Sequence, residues 1–104
     1  MTRNKYNAKK TEINGILFDS KKEANRYLVL LSREQAGEIL DLECQPRWDL
    51  VVNGVHIGRY TADFRYYNPL AGIIVEDVKG VRTRDYVLRK KLMLALYGIE
   101  IKEV

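Results

Sequence analysis

Three ionisable side chains fall within four residues at Glu76-Asp77-Val78-Lys79, in a stretch otherwise built from Ile73, Ile74, Val75 and Val78. A short apolar run rich in β-branched residues, closed here by Gly72 and Gly80, reads as a buried strand. Charges inside such a run cost free energy unless they pair or bind a ligand. Successive strand side chains alternate between faces, so Asp77 and Lys79 share one face and Glu76 takes the other. A carboxylate and an amine two apart on one face suit divalent-cation chemistry beside a phosphate. The acid holds the metal, and the lysine orients or activates a water or stabilises phosphate charge. The plainer alternative is a solvated Asp–Lys pair at a strand end. On either reading Glu76 faces away, and its replacement should be mild.

The preceding stretch, Tyr60 to Tyr67, reads as a strand with Asp63 at its middle among aromatic neighbours, and the turn Asn68-Pro69-Leu70-Ala71-Gly72 makes a hairpin of the two strands. Asp63 can then fall across from the Asp77 end. Thr61-Ala62-Asp63-Phe64, a hairpin and Val75-Glu76-Asp77-Val78-Lys79-Gly80 together resemble the signature of the PD-(D/E)xK nuclease superfamily, with Ala62 where the motif usually has proline. The resemblance implies that Asp63 is the first acid, Asp77 the second and Lys79 the lysine, with the Val78 carbonyl as a further metal ligand. From about Lys5 onward the chain is similar to a small family encoded by phages and prophages and labelled as uncharacterised proteins or endonucleases, similar to Holliday-junction resolvases. This implies an intracellular, cytoplasmic enzyme that hydrolyses phosphodiester bonds in DNA with Mg²⁺, for which Mn²⁺ can substitute. Branched DNA as the substrate is a further extension. Symmetric cutting of a junction needs two active sites, hence a homodimer.

The elements that must position these residues are legible in part. Residues 1–10 read as a flexible basic arm, with Arg3, Lys5, Lys9 and Lys10 and no acid, and Tyr6 available to anchor it or stack on a base. Residues 11–104 read as a single domain. Glu12 to Phe18 suggests a small hairpin with Asn14-Gly15 at a type I′ turn. Ser20 and Glu23 match a capping box at the start of a helix whose apolar stripe is Ala24, Tyr27, Leu28 and Leu31 and whose stop is Gly37. Glu23 therefore has two readings: a cap, or, as the nuclease resemblance implies, a third metal ligand. Gln45 also has two, as a cap of a strand end before Pro46 or, by the resemblance, as an active-site position.

Glu38 to Leu42 is a linker or short strand. Arg47 to Val52 is a strand, Asn53-Gly54 a turn, and the return strand from Val55 passes a bulge near Gly58 and runs on to Tyr67. Thr83 caps a second helix reaching about Tyr97, with Leu88, Leu92, Ala95 and Leu96 as its core stripe and Gly98 as its stop. Ile99 to Val104 alternates as a half-buried edge strand does. The expected class is mixed α/β, or α+β with a mixed sheet. Its order matches the restriction-endonuclease-like αβββαβ core of the resembled superfamily, preceded by an extra hairpin.

Composition narrows the chemistry. At 104 residues the chain fits one modest core. A single cysteine excludes an intrachain disulfide and a multi-cysteine zinc site, and one histidine leaves few soft ligands, which favours Mg²⁺ or Mn²⁺ over zinc. Cys44 is expected as a small half-buried hydrophobe, His56 as structural or surface, and Trp48 as core. No stretch approaches the roughly 20 apolar residues of a membrane span, and the first ten residues are too polar for a signal peptide. The net charge is +4, and it is clustered. Lys9 and Lys10 in the arm and Arg82, Arg84, Arg89, Lys90 and Lys91 after the key strand flank the acids, as phosphate contacts would, or form a solvated face. Three other functions stay open: a nicking or end-processing nuclease of other specificity, a non-catalytic basic DNA-binding module, and a small interaction protein that modulates a phage or host complex.

Overall fold

The computed structural model describes residues 9–104. Their element order is β1 (Thr11–Ile13), β2 (Ile16–Phe18), α1 (Lys21–Gln35), β3 (Leu40–Cys44), β4 (Arg47–Val52), β5 (Val55–Thr61), β6 (Phe64–Asn68), β7 (Gly72–Asp77), α2 (Arg84–Tyr97) and β8 (Lys102–Glu103). The fold is mixed α+β. The principal sheet has the order β3-β6-β7-β8, antiparallel except for the parallel β7–β8 pair, while β1–β2 and β4–β5 form separate two-stranded sheets.

The strand expected to run unbroken to Tyr67 instead breaks at Ala62 and Asp63, so its halves enter different sheets: β5 pairs with β4, and β6 with β3 and β7. Backbone bonds explain the break. The Ala62 amide donates to the Pro46 carbonyl, while the Asp63 amide turns to the Glu76 carbonyl of β7. The stretch read as a linker or short strand is β3, so five strands separate the helices. The bulge falls where Gly58 suggests it: Leu50 pairs with Gly58 and Val51 with His56, leaving Ile57 unpaired. A side chain at Gly58 would put its Cβ 2.8 Å from Arg89 Nη1, so any larger residue there requires the Arg89 guanidinium to move.

Two apolar clusters lie on opposite faces of β7. One, under α1, contains Phe18, Ala24, Tyr27, Leu30, Ile39, Phe64 and Tyr66, with Val78 at its margin. The other, between β4–β5, α2 and β7, contains Leu50, Tyr60, Val75, Tyr86, Met93 and Ile101. Both helix stripes differ from the expected ones. In α1 Leu30 is fully buried and Leu28 is 46% exposed, because Ile39 and Tyr66 pack on the Leu30 side. In α2 Tyr86 and Met93, two turns apart, face the core and Leu88, Ala95 and Leu96 do not. That helix carries apolar residues all round, so its spacing alone does not choose a face. Its ends do match: Thr83 Oγ1 accepts from the Tyr86 amide, and Gly98 closes the helix at φ 67°. The C-terminal strand is shorter than expected, pairing only at Lys102 and Glu103.

Candidate active site

The β6–β7 register, in which Phe64 faces Glu76, sets Asp63 opposite Asp77 at the open end of the hairpin. The two aspartates then fix each other. The Asp63 amide donates to Asp77 Oδ1 at 3.1 Å, and Asp63 Oδ2 accepts from the Val78 amide at 2.7 Å. Among the described residues, one oxygen of each carboxylate is left without a hydrogen bond. Asp77 is 1% exposed, and its Oδ2 has no hydrogen-bond partner among the described residues. The nearest cation is Lys79, whose Nζ lies 3.9 Å from Asp77 Oδ2, an ionic contact beyond hydrogen-bond reach. Glu23, Gln45, Asp63, Asp77 and Lys79 line one open cleft of about 480 Å³, with Asp19 at its side. Five of the expected site residues thus meet in one place. Val78 supplies its amide to Asp63, and its side chain is in the core.

Electrostatics mark this cleft as short of positive charge. Burial, reinforced by the charges of Asp63 and Asp19, pushes the Glu23 carboxyl up to about 7. Burial pushes Asp77 up to about 6, with Lys79 only partly opposing it. Burial also raises Asp63, against the pull of the Val78 amide and Lys79. In all three carboxyls burial is the leading cause, and Lys79 is the nearby cation that opposes it. Among the described residues, however, no three acidic, histidine or cysteine side chains stand close enough to form a ready ligand set. The Asp63–Asp77 pair is in place, and Glu23 lines the same cleft without joining it in such a set.

Glu23 does not complete the capping box with Ser20. Ser20 Oγ accepts from the Glu23 amide at 3.1 Å, the half of the motif that needs only Glu23's backbone. Gln45 is left-handed, φ 57°, a conformation that a side-chain-bearing residue adopts only when its surroundings compel it. Its amide donates to the Asp63 carbonyl at 2.9 Å and its Nε2 to the Leu17 carbonyl at 3.1 Å, so it ties β2 to the Asp63 break.

Other expectations are corrected. Glu76 does lie on the face opposite Asp77, but it is not an inert control: it is fully buried, takes a two-pronged ion pair from Arg26 with both bonds at 2.8 Å, and accepts from the Tyr66 hydroxyl. Burial pushes its carboxyl up, but the bonds from Arg26 and Tyr66 outweigh that and hold it below the ordinary value. Of the basic cluster, Arg89 is committed to Asp85 at 2.9 Å and to the Arg59 carbonyl, while Lys90 and Arg82 reach Glu103 at 3.1 and 3.3 Å. Each of these three therefore has an acidic partner on the protein's own surface, which a phosphate would have to displace. Arg84 and Lys91 are exposed and have no ion-pair partner among the described residues. Lys9 is exposed, and Lys10 approaches Asp19 at 3.4 Å. The rest of the expected arm, with Arg3, Lys5 and Tyr6, lies outside the described residues.

Cys44 is half-buried and its thiol is pushed up by burial, in keeping with a packing role. The exposed His56 sits 3.3 Å from Asp49. Sequence reasoning missed Lys22, whose Nζ donates to the Lys79 carbonyl at 3.2 Å, and Tyr86, whose ring lies beside the Lys79 amine. The Lys22 contact spans 57 residues and left no local signal.

The chain belongs to a protein family described as "Protein of unknown function (DUF1064)", whose family model matches residues 3–103. No curated protein and no solved structure matches it. Among the described residues no helix is long and apolar enough to cross a membrane.

Proposed function

We propose that this member of the DUF1064 family is a metal-dependent DNA endonuclease. The observation that carries the reading is the Asp63–Asp77 pair: two interlocked carboxylates at the mouth of a cleft, each with an oxygen free of hydrogen bonds among the described residues, and one of those oxygens buried. Hard oxygen donors fit Mg²⁺ or Mn²⁺. Asp63 and Asp77 would hold the ion, with the Val78 carbonyl and Glu23 as further donors. Once bound, it would polarise a phosphate and offset the charge that develops on the leaving oxygen.

The protein's own groups do the rest. Lys79 donates towards the attacking water or a phosphate oxygen. The water oxygen forms a bond to phosphorus, one bridging P–O bond breaks, the water's proton leaves for solvent, and the departing oxygen acquires a proton. Arg84 and Lys91, exposed on the helix that follows the catalytic strand, contact phosphates. The substrate class proposed is DNA, branched DNA in particular, cut by a homodimer in the cytoplasm of a phage-infected or prophage-carrying cell.

A cleavage panel tests this reading: four-way junction, flap, duplex and single strand, each with Mg²⁺, Mn²⁺ or a chelator. Metal-dependent cleavage that disappears in Asp77→Asn supports it, and the preferred substrate separates junction resolution from nicking or end processing. Salt-sensitive binding without cleavage of any substrate would leave a non-catalytic DNA-binding module. The absence of both would leave an interaction protein.

A further inference from the structure

Lys79 does not project freely into the cleft. Its Nζ lies 4.1 Å from the centre of the Tyr86 ring, well within the range at which an ammonium is attracted to an aromatic face. Tyr86 is itself held at its backbone and at its hydroxyl. Tyr86 sits in the first turn of α2, 7% exposed, with its amide bonded to Thr83 Oγ1 at 3.1 Å. Its hydroxyl donates to Glu103 Oε2 at 2.7 Å. Glu103 belongs to β8 and stands opposite Asp77 in the parallel register, so the strand paired with the one that carries Asp77 supplies the anchor of the ring. Glu103 further receives Lys90 and Arg82, which keeps its carboxylate in place.

A lysine amine on a four-carbon stem has many rotamers, and an unguided one would spend most of its time elsewhere. The backbone of Lys79 is also tied at both polar groups, its amide to the Val104 carbonyl and its carbonyl to Lys22 Nζ. We infer that Tyr86 is a positioning residue: its ring holds the Lys79 ammonium on the Asp77 side of the cleft, and Glu103 sets the ring. The catalytic consequence rests on the nuclease reading of the same cleft. The clamp itself does not.

Two readouts keep these apart. The first needs no activity. In solution NMR the Lys79 ε-methylene should be displaced upfield by the ring beneath it, relative to Lys22 and Lys91. Tyr86→Phe should keep the displacement and Tyr86→Leu should abolish it. The second is kinetic, on the substrate that the wild-type protein cleaves. Tyr86→Leu should lower kcat by about 3- to 30-fold with KM unchanged, and Tyr86→Phe should restore it to within about threefold. In a Lys79→Ala background Tyr86→Leu should cause no further loss, because it acts through the lysine. An ordinary Lys79 shift in the wild-type protein overturns the inference even if Tyr86→Leu fails to fold. So does a loss that adds fully to that of Lys79→Ala, or one that falls on KM. A displaced Lys79 in a protein that cleaves nothing upholds the clamp and sinks the nuclease reading instead.

Discussion

Glu76 and Asp77 are neighbours on one strand and almost equally buried, at 0% and 1% exposure, yet their surroundings are opposite. Glu76 receives two bonds from Arg26 and one from Tyr66, and its carboxyl is held below the ordinary value. Asp77 receives one backbone amide, keeps an oxygen without a hydrogen-bond partner, and is pushed up to about 6. Burial is therefore no guide to function by itself. A buried acid with its partners supplied is part of the fold, whereas one left short of donors is the candidate for a ligand.

The comparison breaks most decisively at Asp77. Asp77→Asn should lower metal-dependent cleavage by about 10³-fold, in line with the loss of a charge-stabilising group, while the melting temperature stays level or rises as an uncompensated charge is removed. Near-normal cleavage by this variant would end the site assignment. On the other face Glu76→Ala should destabilise the fold by about 3 kcal/mol, because it strands Arg26 and the Tyr66 hydroxyl. Denaturant titration at neutral pH measures it, and a well-folded, fully stable Glu76→Ala protein would show that the pair is ornamental.

Glu23 allows a finer separation. Glu23→Gln should reduce cleavage by about tenfold or more and change stability by less than about 1 kcal/mol, since the Ser20 cap uses only Glu23's backbone. Full activity with a lowered melting temperature would return Glu23 to a structural role.

The two acids also predict opposite pH limbs. Glu76, held low, stabilises the fold above the ordinary glutamate range, and that stability is lost as pH falls through its lowered value. Asp77 and Glu23, held high at about 6 and about 7, bind protons in the folded state that the unfolded chain has already released. Stability should therefore fall as pH rises from about 4 to about 7. In chelator the melting temperature should peak in mild acid, and millimolar Mg²⁺ should flatten the neutral limb. A profile that is identical with and without the ion would argue against a cation in the cleft.

The smallest effects concern the basic surface. Arg84→Ala and Lys91→Ala should each reduce the slope of log affinity against log salt by about one. Arg89→Ala should instead cost stability, since its guanidinium bridges Asp85 and the Arg59 carbonyl. Equal salt slopes in all three variants would place the DNA-binding face elsewhere.

How much of this was written in the chain follows from the range of each interaction. Both helices and their caps were legible, because Ser20, Thr83, Gly37 and Gly98 act within one turn of the groups they satisfy. The sharing of a face by Asp77 and Lys79 follows from strand alternation, and the convergence of Asp63 on Asp77 from a hairpin with one short turn. The faces of the helices were not legible. Whether Leu28 or Leu30 is buried depends on where Ile39 and Tyr66 pack, and α2 offers apolar residues in every direction. Nor was the break at Asp63, which depends on Pro46 and Glu76 accepting the amides of Ala62 and Asp63. The fates of the charged residues lay furthest from view. Spacing alone makes Glu76 and Asp77 equivalent, and Arg89 equivalent to Lys91. What distinguishes them is a partner that folding delivers from 50 positions away, as with Arg26, or 30, as with Arg59. Sequence determined which groups exist and which local shapes carry them. Tertiary structure decided which charges are satisfied, because satisfaction is a property of distance in space and not of distance along the chain.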